Sequence, residues 1–234
     1  MLIVQGFAAC REIYIETMST ILTETEVRVL GSLVEKQLTT PEYYPLTLNA
    51  LTAACNQKSN RDPVMSLNET AILAAIDSLR DKNLVYLYYG STSRTVKYKH
   101  MLPSVFELEP PAVAVIALLF LRGPQTVGEL RGRSDRLYEF SGLGEVQETL
   151  DDLTGRSEPL IFKLERQPGQ KEARYVHLLS GEVDVAALNV VREHQSSGSG
   201  SNERIEKLEQ KVERLSSELA SFRETFDEFR KQFD

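Results

Sequence analysis

Tryptophan is absent from this 234-residue chain, and it has only two cysteines and three histidines. Two cysteines cannot staple a chain of this length, so a disulfide scaffold is excluded and a reducing compartment fits. The cysteines and histidines are scattered without metal-ligand spacing, and no glycine-rich phosphate loop occurs. No metal and no cofactor are therefore expected. The apolar start, MLIVQGFAAC, is short and has no Lys or Arg before it, which excludes a secretory signal. No apolar run reaches the length of a membrane span. A cytoplasmic protein without membrane contact is the expectation. Excess positive charge is missing too: 27 Lys and Arg stand against 34 Asp and Glu, for a net charge of −7. Bulk charge therefore gives no reason to expect a protein that coats nucleic acid.

What is present is enough apolar material for real cores, at 41% hydrophobic, with an ordinary 26% charged content. The acid is unevenly spread. Residues 22–102 hold nine basic and eight acidic side chains, whereas 103–193 hold ten and fifteen. An anionic partner should prefer the first half.

Well-patterned sequence begins at Ile21, so residues 1–21 are read as an extension, with Met18 as the expected translation start. At the other end, 185–202 is a linker ending in the Gly/Ser-rich run QSSGSGSN. Beyond it, over 203–234, apolar residues fall at Ile205, Leu208, Val212, Leu215, Leu219, Phe222, Phe226, Phe229 and Phe233. The steps alternate three and four, which is a coiled-coil seam. Ile and Val at the first two a positions with Leu at d favour a parallel homodimer, and Arg204 with Glu209 and Glu218 with Arg223 attract across it. The phenylalanines of the last two heptads leave a trimer open.

Between 22 and 184 one plan is read twice: three helices, then two strands. In the first unit (22–102), Thr23 and Glu26 form a capping box ahead of Val27, Leu30, Leu33 and Val34. Pro45 suits the first turn of a second helix. A third helix carries Ile72, Ile76 and Leu79, and LVYLYY and RTVKYKH read as strands. In the second unit (103–184), the apolar run 112–121 ends at Gly123-Pro124, and Thr126 with Glu129 caps the next helix. Val146, Leu150 and Leu153 mark the third, and PLIFKLER and EARYVHLL are strands. Lys97-Tyr98-Lys99-His100-Met101-Leu102 matches Arg174-Tyr175-Val176-His177-Leu178-Leu179, which indicates a duplication. The expected fold class is α+β, mainly helical: two tandem winged-helix units followed by a coiled-coil helix.

The strings EKQLTTPEYYPLTLNALTAACNQKSNRDPV (35–64), RTVKYKH, RGPQTVGELRGRSDRLYEF (122–140) and RYVHLLSGEV (174–183) resemble the YceH-like bacterial family. The resemblance covers roughly residues 22–184. It implies tandem winged helices and gives no activity.

No catalytic constellation is expected. Cys55 reads as a packing thiol, and His100 and His177, at equivalent strand positions, read as a repeated structural contact. The strongest candidate site is the polar segment 56–63, from which Gln57, Lys58, Asn60 and Arg61 are candidates for nucleic-acid contact. The hairpin adds Arg94, Lys97 and Lys99. Arg131, Arg133 and Arg136 are candidate partner-binding residues, or they pair with the acidic residues of their own unit. The third helices give conflicting evidence: the first carries Glu69, Asp77 and Asp81 against Arg80 and Lys82, while Glu145, Glu148, Asp151 and Asp152 in the second would repel phosphate. The primary expectation is a non-enzymatic regulator that meets duplex DNA through its first unit. The alternative is a protein-protein adaptor that uses both units and the coiled coil for assembly.

Overall fold

The first helix begins where its cap requires. The Thr23 hydroxyl accepts the Glu26 N–H at 3.3 Å, and the Glu26 carboxylate accepts the Thr23 N–H at 2.6 Å. Two orphan donors are thereby satisfied at the mouth of α1, Glu24–Thr39. The structure is a computed structural model and describes residues 21–90, 95–166 and 172–181. The expected extension (1–21) falls almost wholly outside these residues, and the linker (185–202), the coiled-coil helix and Arg94 lie wholly outside them.

Beyond α1 the chain makes a short 3-10 turn at Pro41–Tyr43, then strand β1, Leu46–Thr47, and helix α2, Leu48–Cys55. Pro45 therefore precedes a strand and does not sit in the first turn of α2. The helix starts later because the Thr47 hydroxyl caps it, accepting the Ala50 N–H at 3.3 Å. Helix α3, Glu69–Asp81, is capped by Asn68 and buries Ile72, Ala75, Ile76 and Leu79. The hairpin of β2, Val85–Tyr89, and β3, Val96–His100, completes the first unit, with order β1-β3-β2. A short helix, α4 (Leu102–Phe106), leads to α5 (Pro110–Arg122), α6 (Val127–Ser134) and α7 (Leu143–Gly155). Gly123 ends α5 at φ 66°, a backbone angle that suits glycine. Strands β4, Ile161–Leu164, and β5, Arg174–His177, pair antiparallel. The fold is α+β.

Backbone hydrogen bonds repeat the plan position by position. The Leu84 N–H donates to Leu79 O and the Met101 N–H to Leu84 O; in the second unit Leu160 donates to Leu153 O and Leu178 to Leu160 O. Leu46 lies opposite Tyr98, and Gln125 bridges Tyr175. The string shared by the two hairpins in the sequence thus sits among similar backbone bonds in both halves.

The two units share one apolar core. Helix α1 is buried from Glu26 to Glu35, all the way round, because α5 covers the side that α2 and α3 leave open. Helices α1 and α5 approach closely at Gly31, where an added Cβ would lie 2.9 Å from Phe120 Cβ and 3.1 Å from Leu121. Polar ties reinforce it. The Asp62 N–H donates to Leu121 O at 2.8 Å and the Leu22 N–H to Leu179 O at 2.7 Å.

Candidate functional site

The polar segment 56–63 ties several of its side chains back into the fold. Asn56 accepts the Leu67 N–H at 2.7 Å and donates to Leu67 O at 2.8 Å, closing the loop on itself. Gln57, half-buried, accepts from Lys36. Asn60 sits at φ 60° and accepts from Arg122 at the end of α5. From beneath, Arg28 of α1 donates to Cys55 O and Pro63 O, at 3.2 and 2.6 Å.

Arg61 requires a correction to the sequence reading. Its side chain has 0% exposure and forks onto Glu35 of α1, at 3.1 and 2.7 Å. It also donates to Ala54 O at 2.8 Å. A guanidinium enclosed and fully bonded in this way cannot reach a phosphate, so Arg61 leaves the candidate set. Burial pushes the Glu35 carboxyl up, but Arg61 and Lys36 outweigh it and hold the group below its ordinary value. Within the loop, Lys58, Ser59, Asn60, Asp62 and Pro63 are exposed.

The hairpin presents a different surface. Its inner face carries Val85, Leu87, Tyr98 and His100; its outer face carries Tyr86, Tyr88, Lys97 and Lys99. Tyr86 stands directly opposite Lys99 and Tyr88 opposite Lys97. Tyr86 and Tyr88 are 50% and 48% exposed. The sequence reading selected the lysines and missed the tyrosines. The period-two alternation in Val85-Tyr86-Leu87-Tyr88 was the signal that pointed to them.

The second unit uses the same positions otherwise. Phe162 pairs with Val176, and Leu164, the counterpart of Tyr88, is buried opposite Arg174. Arg174, the counterpart of Lys97, forks onto Glu129 at 2.6 and 3.1 Å and donates to Pro124 O. Arg131 pairs with Asp135, while Arg133 donates to buried Gln125 and lies 3.8 Å from Glu129. The acids paired directly with these arginines are Asp135 and Glu129, and Arg131 also acts at longer range on Glu145 of α7. Glu145 is bonded to Tyr138 and Ser141. Arg136 is exposed. The outward face of α3 shows Glu69, Asp77 and Asp81 with Leu73, and that of α7 shows Glu148, Asp151 and Asp152 with Leu143.

Nothing among the described residues assembles a nucleophile or a metal site. Burial pushes the Cys55 thiol up to about 11, so the thiolate is disfavoured. No group of three or more His, Cys, Asp or Glu among the described residues can hold a metal ion. Among them, too, no helix is long and apolar enough to cross a membrane. His100 accepts the Leu102 N–H through Nδ1 at 3.3 Å, and His177 stacks edge-on against Phe120. Burial lowers both imidazoles to about 4 from an ordinary 6.5. The unfolded chain binds protons on both between those values, so folding stability falls as pH drops from about 6.5 towards 4. Glu35, with its lowered pKa, adds a further loss below its ordinary 4.5. Thermal midpoints measured against pH are expected to be flat above neutrality and to fall in two stages. His100→Gln with His177→Gln is expected to flatten the upper stage alone.

Residues 22–170 match the family described as "Protein of unknown function, DUF480". The chain belongs to this family. Among DUF480 relatives, a UPF0502 protein of Pelobacter propionicus is 48% identical over 220 residues, covering 93% of this chain and 100% of the relative. A UPF0502 protein of Geotalea uraniireducens is 49% identical, covering 91% and 98%. One from Citrifermentans bemidjiense is 53% identical over 195 residues, covering 83% and 90%. The resemblance to an uncharacterised bacterial family is therefore borne out. Neither the DUF480 description nor these relatives' names carry an activity, so function rests on the geometry.

Proposed function

We propose that this DUF480 protein is a non-enzymatic tandem winged-helix protein that binds nucleic acid through the outer sheet face of its first unit. The observation that carries the reading is the cross-strand pairing of Tyr86 with Lys99 and Tyr88 with Lys97. Neither lysine has an ion-pair partner among the described residues, so both charges are available to phosphate. Lys99 is exposed and Lys97 is half-buried on that face. Three helices and a hairpin in each repeat match the winged-helix plan, in which a hairpin lies against nucleic-acid backbone. That step is a fold-level analogy. Contact through the hairpin also keeps the carboxylates of α3 away from phosphate.

Binding followed by fluorescence anisotropy is expected to weaken with salt. Lys97→Gln with Lys99→Gln should lower affinity about tenfold and flatten the salt dependence by between one and two phosphate contacts. Absence of binding to any nucleic acid at low salt would sink the reading. The second reading, a protein-protein adaptor, is favoured by the acidic and apolar outward faces of α3 and α7. It would then take precedence.

Residues 203–234 supply self-association in this proposal, by the heptad seam alone. Leu208→Asp with Leu215→Asp in the full chain is expected to convert a dimer to a monomer by light scattering. An unchanged mass would show that the seam does not hold the chains together.

A further inference from the structure

We propose that the first unit's outer sheet face takes a single strand of nucleic acid in preference to a duplex. The inference rests on the nucleic-acid reading above and names the substrate class of the same surface. Tyr86 and Tyr88 lie on one face of one strand, two residues apart. At strand rise their side chains stand about 7 Å apart. Stacked bases within one strand of a duplex are separated by about 3.4 Å, half that distance. Bases that lie on both rings must therefore be unstacked from each other, which a single strand permits and a duplex does not. A duplex also hides its base faces inside the stack, where an exposed phenol ring has nothing to cover.

The charges sit where a strand needs them. Lys97 and Lys99 face the two rings across the hairpin, and directly opposed side chains in a sheet are about 5 Å apart at Cβ. Each base on a tyrosine therefore has an ammonium beside it for its own phosphate. Alternating aromatic and basic positions along a sheet make a sequence-tolerant strand platform, because every base has a π-face.

The duplication provides an internal comparison. The second unit keeps the hairpin but fills the equivalent positions with Phe162, Val176, buried Leu164 and Arg174, the last neutralised by Glu129. The same backbone thus carries two different outer faces, and among the described residues only the first joins cations without an ion-pair partner to exposed phenols. A need to stabilise the hairpin would apply equally to both units and does not account for this difference.

The test is anisotropy on the full chain with labelled oligothymidylate and oligouridylate of about 20 nucleotides and a hairpin duplex of equal length. Preference of about tenfold for either strand over the duplex, at one salt concentration, supports the inference. Tyr86→Leu with Tyr88→Leu is expected to lose at least about tenfold on the strand and little on the duplex. Tyr86→Phe with Tyr88→Phe keeps the rings and is expected to keep strand binding, which separates stacking from hydroxyl contacts and from misfolding. Equal or tighter duplex binding, indifferent to both tyrosine pairs, overturns the strand inference and leaves the nucleic-acid reading standing. No binding to any of the three probes overturns both and assigns the face to a protein partner.

Discussion

Arg61→Met is expected to lower the folding stability of the chain by about 3 kcal/mol, the lower end of the cost of removing one half of a buried ion pair, because Lys36 stays 3.5 Å from Glu35. Glu35 would remain on α1, enclosed and charged, without the two guanidinium bonds at 3.1 and 2.7 Å. The Ala54 carbonyl would lose its donors as well. For a folded unit of this size the loss corresponds to a fall of roughly 10 °C in thermal midpoint. Glu35→Met with Arg61→Met is expected to recover most of it, since two apolar side chains of similar volume need neither solvent nor each other's charge. Denaturant unfolding of the three proteins checks this. A single-variant loss below about 1 kcal/mol would place Arg61 among ordinary surface residues.

Gly31→Val is expected to cost about 3 kcal/mol, at the upper end of overpacking penalties, through the packing of the two units. A Cβ at this position meets Phe120 Cβ at 2.9 Å, closer than such atoms approach, and valine adds two methyl groups beyond it. Helices α1 and α5 must separate, and the apolar core they share must loosen. Gly132 and Gly144 offer internal controls, because a Cβ at either meets nothing within 4 Å. Gly132→Ala in α6 and Gly144→Ala in α7 are expected to be neutral or mildly stabilising, since alanine is the better helix former. Thermal melts of the three variants separate a packing effect from a general intolerance of glycine replacement.

Local rules were legible where their partners lie close in sequence. The capping boxes Thr23–Glu26 and Thr126–Glu129 formed as the three-residue spacing requires. The apolar faces of α3 and α7 and both hairpins were readable from periodicity alone. Arg61 was misread because its partner, Glu35, lies 26 residues upstream; polarity marks a residue without saying which way it points. Gly31 looked like any helix glycine, because only the approach of α5 gives its missing side chain a meaning. Strand β1 is two residues long, too short for any pattern to announce. The tyrosines of β2 were legible in principle. Attention to charge selected Lys97 and Lys99 and passed over the alternation that pairs them with aromatic rings.

The first unit thus divides its roles: segment 56–63 closes on buried partners in α1, and the outer hairpin face is the proposed binding surface. Hydrogen exchange of the full chain with and without a saturating oligothymidylate strand tests this division most directly. The predicted result is new protection in Val85–Tyr89 and Val96–His100, with 56–63 and the acidic helices α3 and α7 unchanged. Protection centred on 56–63 or on α3, with the hairpin unaffected, would contradict it.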